Sequence, residues 1–202
     1  MKRLFQLFGK KKHQDVTIVS GLPRSGTSMM MKMLEAGGLP PLTDKLRTAD
    51  DDNPKGYYEF ERVKKLDEGD IAWLSEAQGK AVKVISALLT YLPPTYTYRV
   101  IFMQRAMPEI LASQKKMLIH RHEDADDVSD EEMAALYTEH LRHVDSWIDG
   151  RPNIRRININ FNEIIKNPGA HLETINKFLD GCLDTGKAEA VIDPSLYRQK
   201  ER

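Results

Sequence analysis

Residues 16–34 read VTIVSGLPRSGTSMMMKML, and these nineteen positions decide the fold. Val16, Ile18 and Val19 form a short β-branched apolar run, as a buried strand requires. Gly21 to Ser28, GLPRSGTS, is a glycine-bounded turn, and Met29 to Leu34 begin a helix of strong helix formers. Such a loop between strand and helix presents several backbone N–H groups, and the helix N-terminus adds partial positive charge. Together these suit a phosphate or a sulfate. An ordinary strand-to-helix turn also favours Gly, Ser and Thr. Here glycine spacing, two hydroxyls and a basic residue coincide, which points to an anion cradle.

The residues inside the loop narrow the choice of anion donor. A nucleotide-hydrolysing P-loop has Lys directly after its second glycine, followed by Ser or Thr for magnesium. Gly21 and Gly26 have that spacing and Ser28 is in place, but Thr27 occupies the lysine position. The basic residue is Arg24, two places before Gly26. Its planar fork suits a group with several equivalent oxygens, a sulfuryl group included.

PRSGTS resembles the 5′-phosphosulfate-binding loop of sulfotransferases that use 3′-phosphoadenosine 5′-phosphosulfate (PAPS), and its arginine form is most similar to bacterial and tyrosyl-protein-type members. The resemblance implies that Arg24, Ser25, Gly26, Thr27 and Ser28 grip the 5′ end of the donor. RAMPEILASQKKML, from Arg105, is similar to the family's 3′-phosphate segment, in which an Arg at a strand end and a Ser in the next helix take the ribose phosphate. Arg105 and Ser113 match those positions. A fork of fixed charge plus a hydroxyl donor can bind a dianion.

FNEIIKNPGAHLETINKFL is similar to a third family segment, but Phe161 replaces its tyrosine and Asn162-Glu163 replaces Glu-Asp. That segment reads as a packed helix. On the second strand Lys83 matches the family's lysine, while Ile85 stands where the catalytic histidine of cytosolic members stands. Their C-terminal Arg-Lys-Gly segment has no counterpart. The matched islands run from Val16 to Leu179.

Elsewhere strands alternate with helices. Gly37-Gly38 stops the first helix, and an irregular stretch with two prolines and a DDD run follows to Tyr57. Such a loop beside an anion site reads as functional. Phe60 to Gln78 reads as one helix, or two broken near Gly69. Ala81 to Ile85 and Arg99 to Met103 read as buried strands, with a connection ending in Pro93-Pro94 between them. Pro108 starts a helix reaching about His120, an acidic link follows, and Ser129 with Glu132 makes a capping box for a helix to Ile148. Ile154 to Asn160 alternates as a strand. A helical stretch follows from Phe161, interrupted at Asn167-Pro168, and the last twenty residues are loosely patterned and polar. The alternation implies right-handed crossovers and a parallel sheet covered on both faces. The fold expected is a single three-layer P-loop-type α/β domain over 15–202, preceded by a basic and apolar tail over 1–14. Ligands on such sheets bind at the carboxyl ends of strands.

Composition excludes other classes. At 202 residues one domain with a real core is expected. Lys plus Arg and Asp plus Glu are 30 each, so no basic excess points to nucleic acid. Cys182 is the single cysteine, which fits a reducing, cytoplasmic compartment. The N-terminus is too short in apolar residues for a signal or a span, and weak membrane-surface contact is the most it offers. His120 to Asp127 (HRHEDADD) and the pair His140 and His143 match no zinc spacing and read as a solvated link and an exposed face.

The function expected is sulfuryl transfer from PAPS to a hydroxyl or amine acceptor, with small molecules, saccharides, lipids and peptides all open as acceptors. Arg24 with the loop N–H groups would neutralise developing charge, and Lys83 would help at the bridging oxygen. No metal is required by a donor that already carries activated sulfate, and neither RVIFMQ nor IRRININ ends in the Asp of a magnesium-holding strand. Glu59, in NPKGYYEFE, is the first choice as base, with Glu61 and Asp52 its rivals. Tyr57 and Tyr58 could line an acceptor pocket. A small ATP-dependent P-loop kinase and a nucleotide-binding module without turnover are the competing functions.

Overall fold

The protein is described by a computed structural model covering residues 15–44, 58–121 and 128–193. The tail 1–14, the loop positions Asp52 and Tyr57, the link 122–127 and the side chain of His120 lie outside the described residues.

Four strands run parallel in the order β2-β1-β3-β4. They are β1 (Val16–Gly21), β2 (Ala81–Lys83), β3 (Tyr98–Gln104) and β4 (Ile154–Asn160). Ile18 pairs with Val82 on one side and Val100 on the other, and Val100 pairs in turn with Arg156. All six β1 residues are buried, the pattern of a central strand covered on both faces. The chain steps from β1 to β2 on one side, then crosses back to β3 on the other. The carboxyl ends of β1 and β3 therefore form the switch point where such sheets bind ligands.

Each face carries its own core, because side chains at i and i+2 share a face. Val19, Ile101, Met103 and Ile159 pack under α1 (Thr27–Ala36), α5 (Phe161–Lys166), α6 (Pro168–Phe178) and α7 (Thr185–Ala190). The opposite face, with Ile18, Val82, Val84, Val100 and Phe102, packs on Trp73 and Leu74, and on Val144 and Ile148 of α4 (Asp130–Asp149). Leu74 opens the short α2 (Leu74–Ala77), and α3 (Met107–Arg121) follows β3. Trp73 has no exposed surface, and burying a side chain of that size contributes roughly 1.5–3 kcal/mol. Phe60 meets it edge-on at 5.7 Å.

Most elements fall where the sequence places them. The Ser129–Glu132 capping box is formed, and α1 ends at Gly37-Gly38 with the Leu39 N–H bonded to the Leu34 carbonyl. Residues 60–78 are the first departure: they break near Gly69, but into a 3-10 turn at Glu61–Lys65 and the four-residue α2 in place of two full helices. Arg62 bridges to Asp70 with two bonds, and the Trp73 indole N–H donates to the Asp70 carbonyl at 2.9 Å, so the chain folds back between them. β2 is a second departure. It ends at Lys83, and a 3-10 turn over Ser86–Tyr91 follows.

The polar C-terminal stretch contains α7, which the apolar pattern does not announce. Asp184 caps it by accepting from the Lys187 N–H at 3.0 Å, and Ala188 is buried beside the first helix. At the amino end of β3, buried Arg99 binds Asp15 at 2.6 Å, Asp180 at 2.5 Å and the Phe178 carbonyl at 2.6 Å. That knot ties the sheet to α6 at the edge opposite the loop. It is structural.

Candidate functional site

β1 delivers the chain to Gly21, and the loop reverses within five residues before α1 begins. The Leu22 carbonyl accepts from both the Ser25 N–H at 3.2 Å and the Ser25 hydroxyl at 2.7 Å. The Ser25 side chain is buried and holds the turn, so its hydroxyl shapes the loop. Gly21 and Gly26 have φ of 148° and 100°. A Cβ on Gly21 would lie 2.6 Å from the Met103 carbonyl oxygen, and one on Gly26 would lie 2.3 Å from the Phe161 ring. Only glycine fits either place. No acidic residue lies in the first turn of α1, so nothing there offsets its positive end.

Two clusters flank this loop along the carboxyl edge. On the β3 side the Arg24 Nε donates to Ser113 Oγ at 2.9 Å, and Arg105 Nη1 donates to the Arg24 carbonyl at 3.1 Å. Arg24 has a positive φ of 68°, a conformation non-glycine residues adopt at a cost of about 1–3 kcal/mol. Arg105 Nε donates to Glu109 Oε2 at 2.7 Å, and its guanidinium stacks 4.5 Å from the Phe161 ring centroid. Glu109 Oε1 accepts from Asn162 Nδ2 at 2.9 Å. The Arg105 and Glu109 side chains are 7% and 2% exposed.

On the β2 side, Lys83 Nζ lies 3.4 Å from Ser28 Oγ and 3.7 Å from Glu59 Oε1. Glu59 comes from the segment after the long loop, which is pinned to residues before it. Thr43 Oγ1 donates to the Glu59 carbonyl at 2.8 Å, and the Glu61 N–H donates to Asp44 Oδ2 at 2.7 Å. Glu61 itself turns to solvent and pairs with Lys64 at 2.9 Å. Of the three proposed bases, the described geometry brings Glu59 to Lys83 and takes Glu61 away.

The sequence reading assigns Arg24 to one end of a donor and Ser113 to the other, yet these two side chains bond to each other. It also treats Arg105 as a charged fork for a phosphate, and two of its donors serve Glu109 and a loop carbonyl. Glu109, Asn162 and the ring of Phe161 were missed. The spacing of Arg105 and Glu109, one helical turn apart, is the only local signal of that group. The Tyr58 hydroxyl donates to Glu35 at 2.5 Å. Burial first, and then the Glu35 hydrogen bond and charge, push its phenol above the ordinary range.

Ile85, at the position of the family's histidine, is 46% exposed just past β2. A histidine does reach the next residue, since His140 Nε2 and Ser86 Oγ are 2.8 Å apart. Burial, then the charge of His143, lowers the His140 pKa, so its imidazole is held neutral. Among the described residues no three His, Cys, Asp or Glu side chains gather as a metal site, and no helix is long and apolar enough to cross a membrane.

No family model matches the chain, and no curated protein matches it. Among solved structures it is similar to the sulfotransferase domain from the Synechococcus PCC 7002 olefin synthase, at 16% identity, covering 95% of this chain and 85% of that one, with a TM-score of 0.49. It is similar also to the sulfotransferase domain from the curacin biosynthetic pathway, at 12% identity, covering 93% and 78%, with a TM-score of 0.49.

Proposed function

We propose that the chain is a PAPS-dependent sulfotransferase acting on a hydroxyl or amine acceptor. One observation carries this reading: a glycine-shaped anion loop is flanked on the same sheet edge by two cationic groups, Arg24–Arg105–Ser113 and Lys83. A donor with a reactive 5′ end and a second phosphate on its ribose needs that pattern of charge. The fit is specific in kind. The loop backbone and the Thr27 and Ser28 hydroxyls at the start of α1 offer donors to a sulfate-bearing end, and the β3 side offers fixed charge with a hydroxyl.

The donor brings its own activated sulfuryl group, and the chain's task is charge and placement. Lys83, held between Ser28 and Glu59, would neutralise charge on the departing oxygen. Glu59 would take the acceptor proton; its backbone is pinned by Thr43, and its carboxylate lies 3.7 Å from Lys83. Exposed Ile85 leaves an apolar surface where the acceptor would lie.

Thermal denaturation with adenosine 3′,5′-bisphosphate against ADP–magnesium tests the donor. A ligand at 100 times its Kd adds about 2.7 kcal/mol. The bisphosphate should raise the Tm by several degrees, and Arg105→Ala should abolish most of that rise. Stabilisation by ADP–magnesium alone would identify a kinase instead. Transfer of labelled sulfate from PAPS to acceptors in a lysate then separates an enzyme from a module that only binds.

A further inference from the structure

Glu109 is the unexplained group of the site. It is a carboxylate, almost wholly buried, placed beside the arginine expected to meet a phosphate dianion. Negative charge there opposes anion binding, so its presence calls for a reason. The reason lies in what it holds. Oε2 takes the Arg105 Nε, Oε1 takes the Asn162 amide, and the Phe161 ring closes one face of the same guanidinium. Arg105 Nη1 then reaches the Arg24 carbonyl in the loop. A long side chain with several rotatable bonds is thereby fixed in plane and in direction between α3, α5 and the anion loop.

Asn162 adds an independent sign. Its Oδ1 is buried and has no hydrogen-bond partner, whereas its Nδ2 serves Glu109. The amide leaves one buried atom unsatisfied in order to anchor the carboxylate. We infer that Glu109, anchored by Asn162, is a positioning residue that aims Arg105, and that it sets the preference of this site for nucleotides carrying a second, ribose-bound phosphate. The inference rests on the donor reading above, because it concerns the group that would meet that phosphate. Without the carboxylate, Arg105 would keep the Arg24 carbonyl and the Phe161 ring but lose the charged partner that fixes its Nε.

Calorimetric titration with adenosine 3′,5′-bisphosphate and with adenosine 5′-monophosphate tests it, the quantity read being the ratio of the two affinities. The unaltered chain should prefer the bisphosphate. Glu109→Ala should lower the ratio on the order of 10- to 100-fold, as for loss of an aimed charge-assisted contact. Asn162→Ala should lower it less, and Glu109→Gln, which keeps the shape, least. Should Glu109→Ala fail to fold, Asn162→Ala and Glu109→Gln still report. A ratio unchanged in every folded variant, or both affinities falling together, would mark Glu109 as a packing group and overturn the inference while leaving the donor reading intact. No preference in the unaltered chain would overturn both.

Discussion

The two clusters beside the anion loop are built to opposite standards. On the β3 side, Arg24, Ser113, Arg105, Glu109 and Asn162 are joined by bonds of 2.7 to 3.1 Å, and the Phe161 ring packs against both Arg105 and the space at Gly26. On the β2 side, Lys83 sits at 3.4 Å and 3.7 Å from its neighbours, with part of its side chain and of Glu59 open to solvent. The first group is arranged before any ligand arrives. The second has room to move, and contacts of this length tighten only when something fills the gap. A binding handle gains from being fixed in advance, because less order remains to be imposed. A proton-transfer pair is defined by its substrate. On the function proposed above, the contrast fits holding on one side and chemistry on the other.

The largest effect should come from the loose side. Glu59→Gln should lower sulfate transfer about 10²–10⁴-fold, the usual size of a general-base contribution, while bisphosphate affinity stays within a few-fold of the parent. Turnover close to the parent's would strip the β2 cluster of its role.

A smaller effect sharpens the claim that the β3 side is fixed in advance. Gly26→Ala drives a methyl into the Phe161 ring as well as straining a positive φ, so denaturant unfolding should show a loss of about 1–3 kcal/mol or more. Gly38→Ala, where φ is 97° and the added methyl meets nothing within 4 Å, is the control for backbone strain alone. Equal losses at the two positions would mean that the Phe161 contact is slack.

The smallest effect concerns pH on the β2 side. The fold lowers the His140 pKa, mainly through burial, so the unfolded chain takes up a proton before the folded one does. The stability His140 contributes is complete above its ordinary value of 6.5 and is lost as pH falls below that toward the folded value. Tm followed from about pH 7.5 down to 5 should fall less in His140→Gln than in the parent. Parallel curves would show that the Ser86 contact does not depend on a neutral ring.

Much of this was legible in local sequence, for identifiable reasons. The β1–loop–α1 unit, the capping box at Ser129 and the Pro168 start of α6 each depend on residues within a few positions of one another. Arg105 and Ser113 were picked out by the resemblance of one strand–helix segment to a family segment, since their spacing alone is a weak signal. Glu109 was overlooked because a carboxylate one turn from an arginine is commonplace on solvated helices, and its partner Asn162 lies in α5, 53 positions on. Phe161 read as a lost hydroxyl, whereas the ring is what covers Gly26 and Arg105. α7 escaped notice because its docking rests on one small residue, Ala188, which no periodic pattern reveals.

By itself, then, the sequence determined the alternation of strands and helices, the glycine-shaped loop and the kinds of side chain at the sheet's carboxyl edge, since these follow from hydrophobic period, turn chemistry and charge. Tertiary structure alone decided which of those side chains meet. Strand order brought Lys83 and Arg105 to opposite sides of one loop, and packing of α5 against it brought Asn162 to a carboxylate buried beside an arginine. Pairing across the sheet depends on contacts between distant segments, and a local pattern carries no record of them.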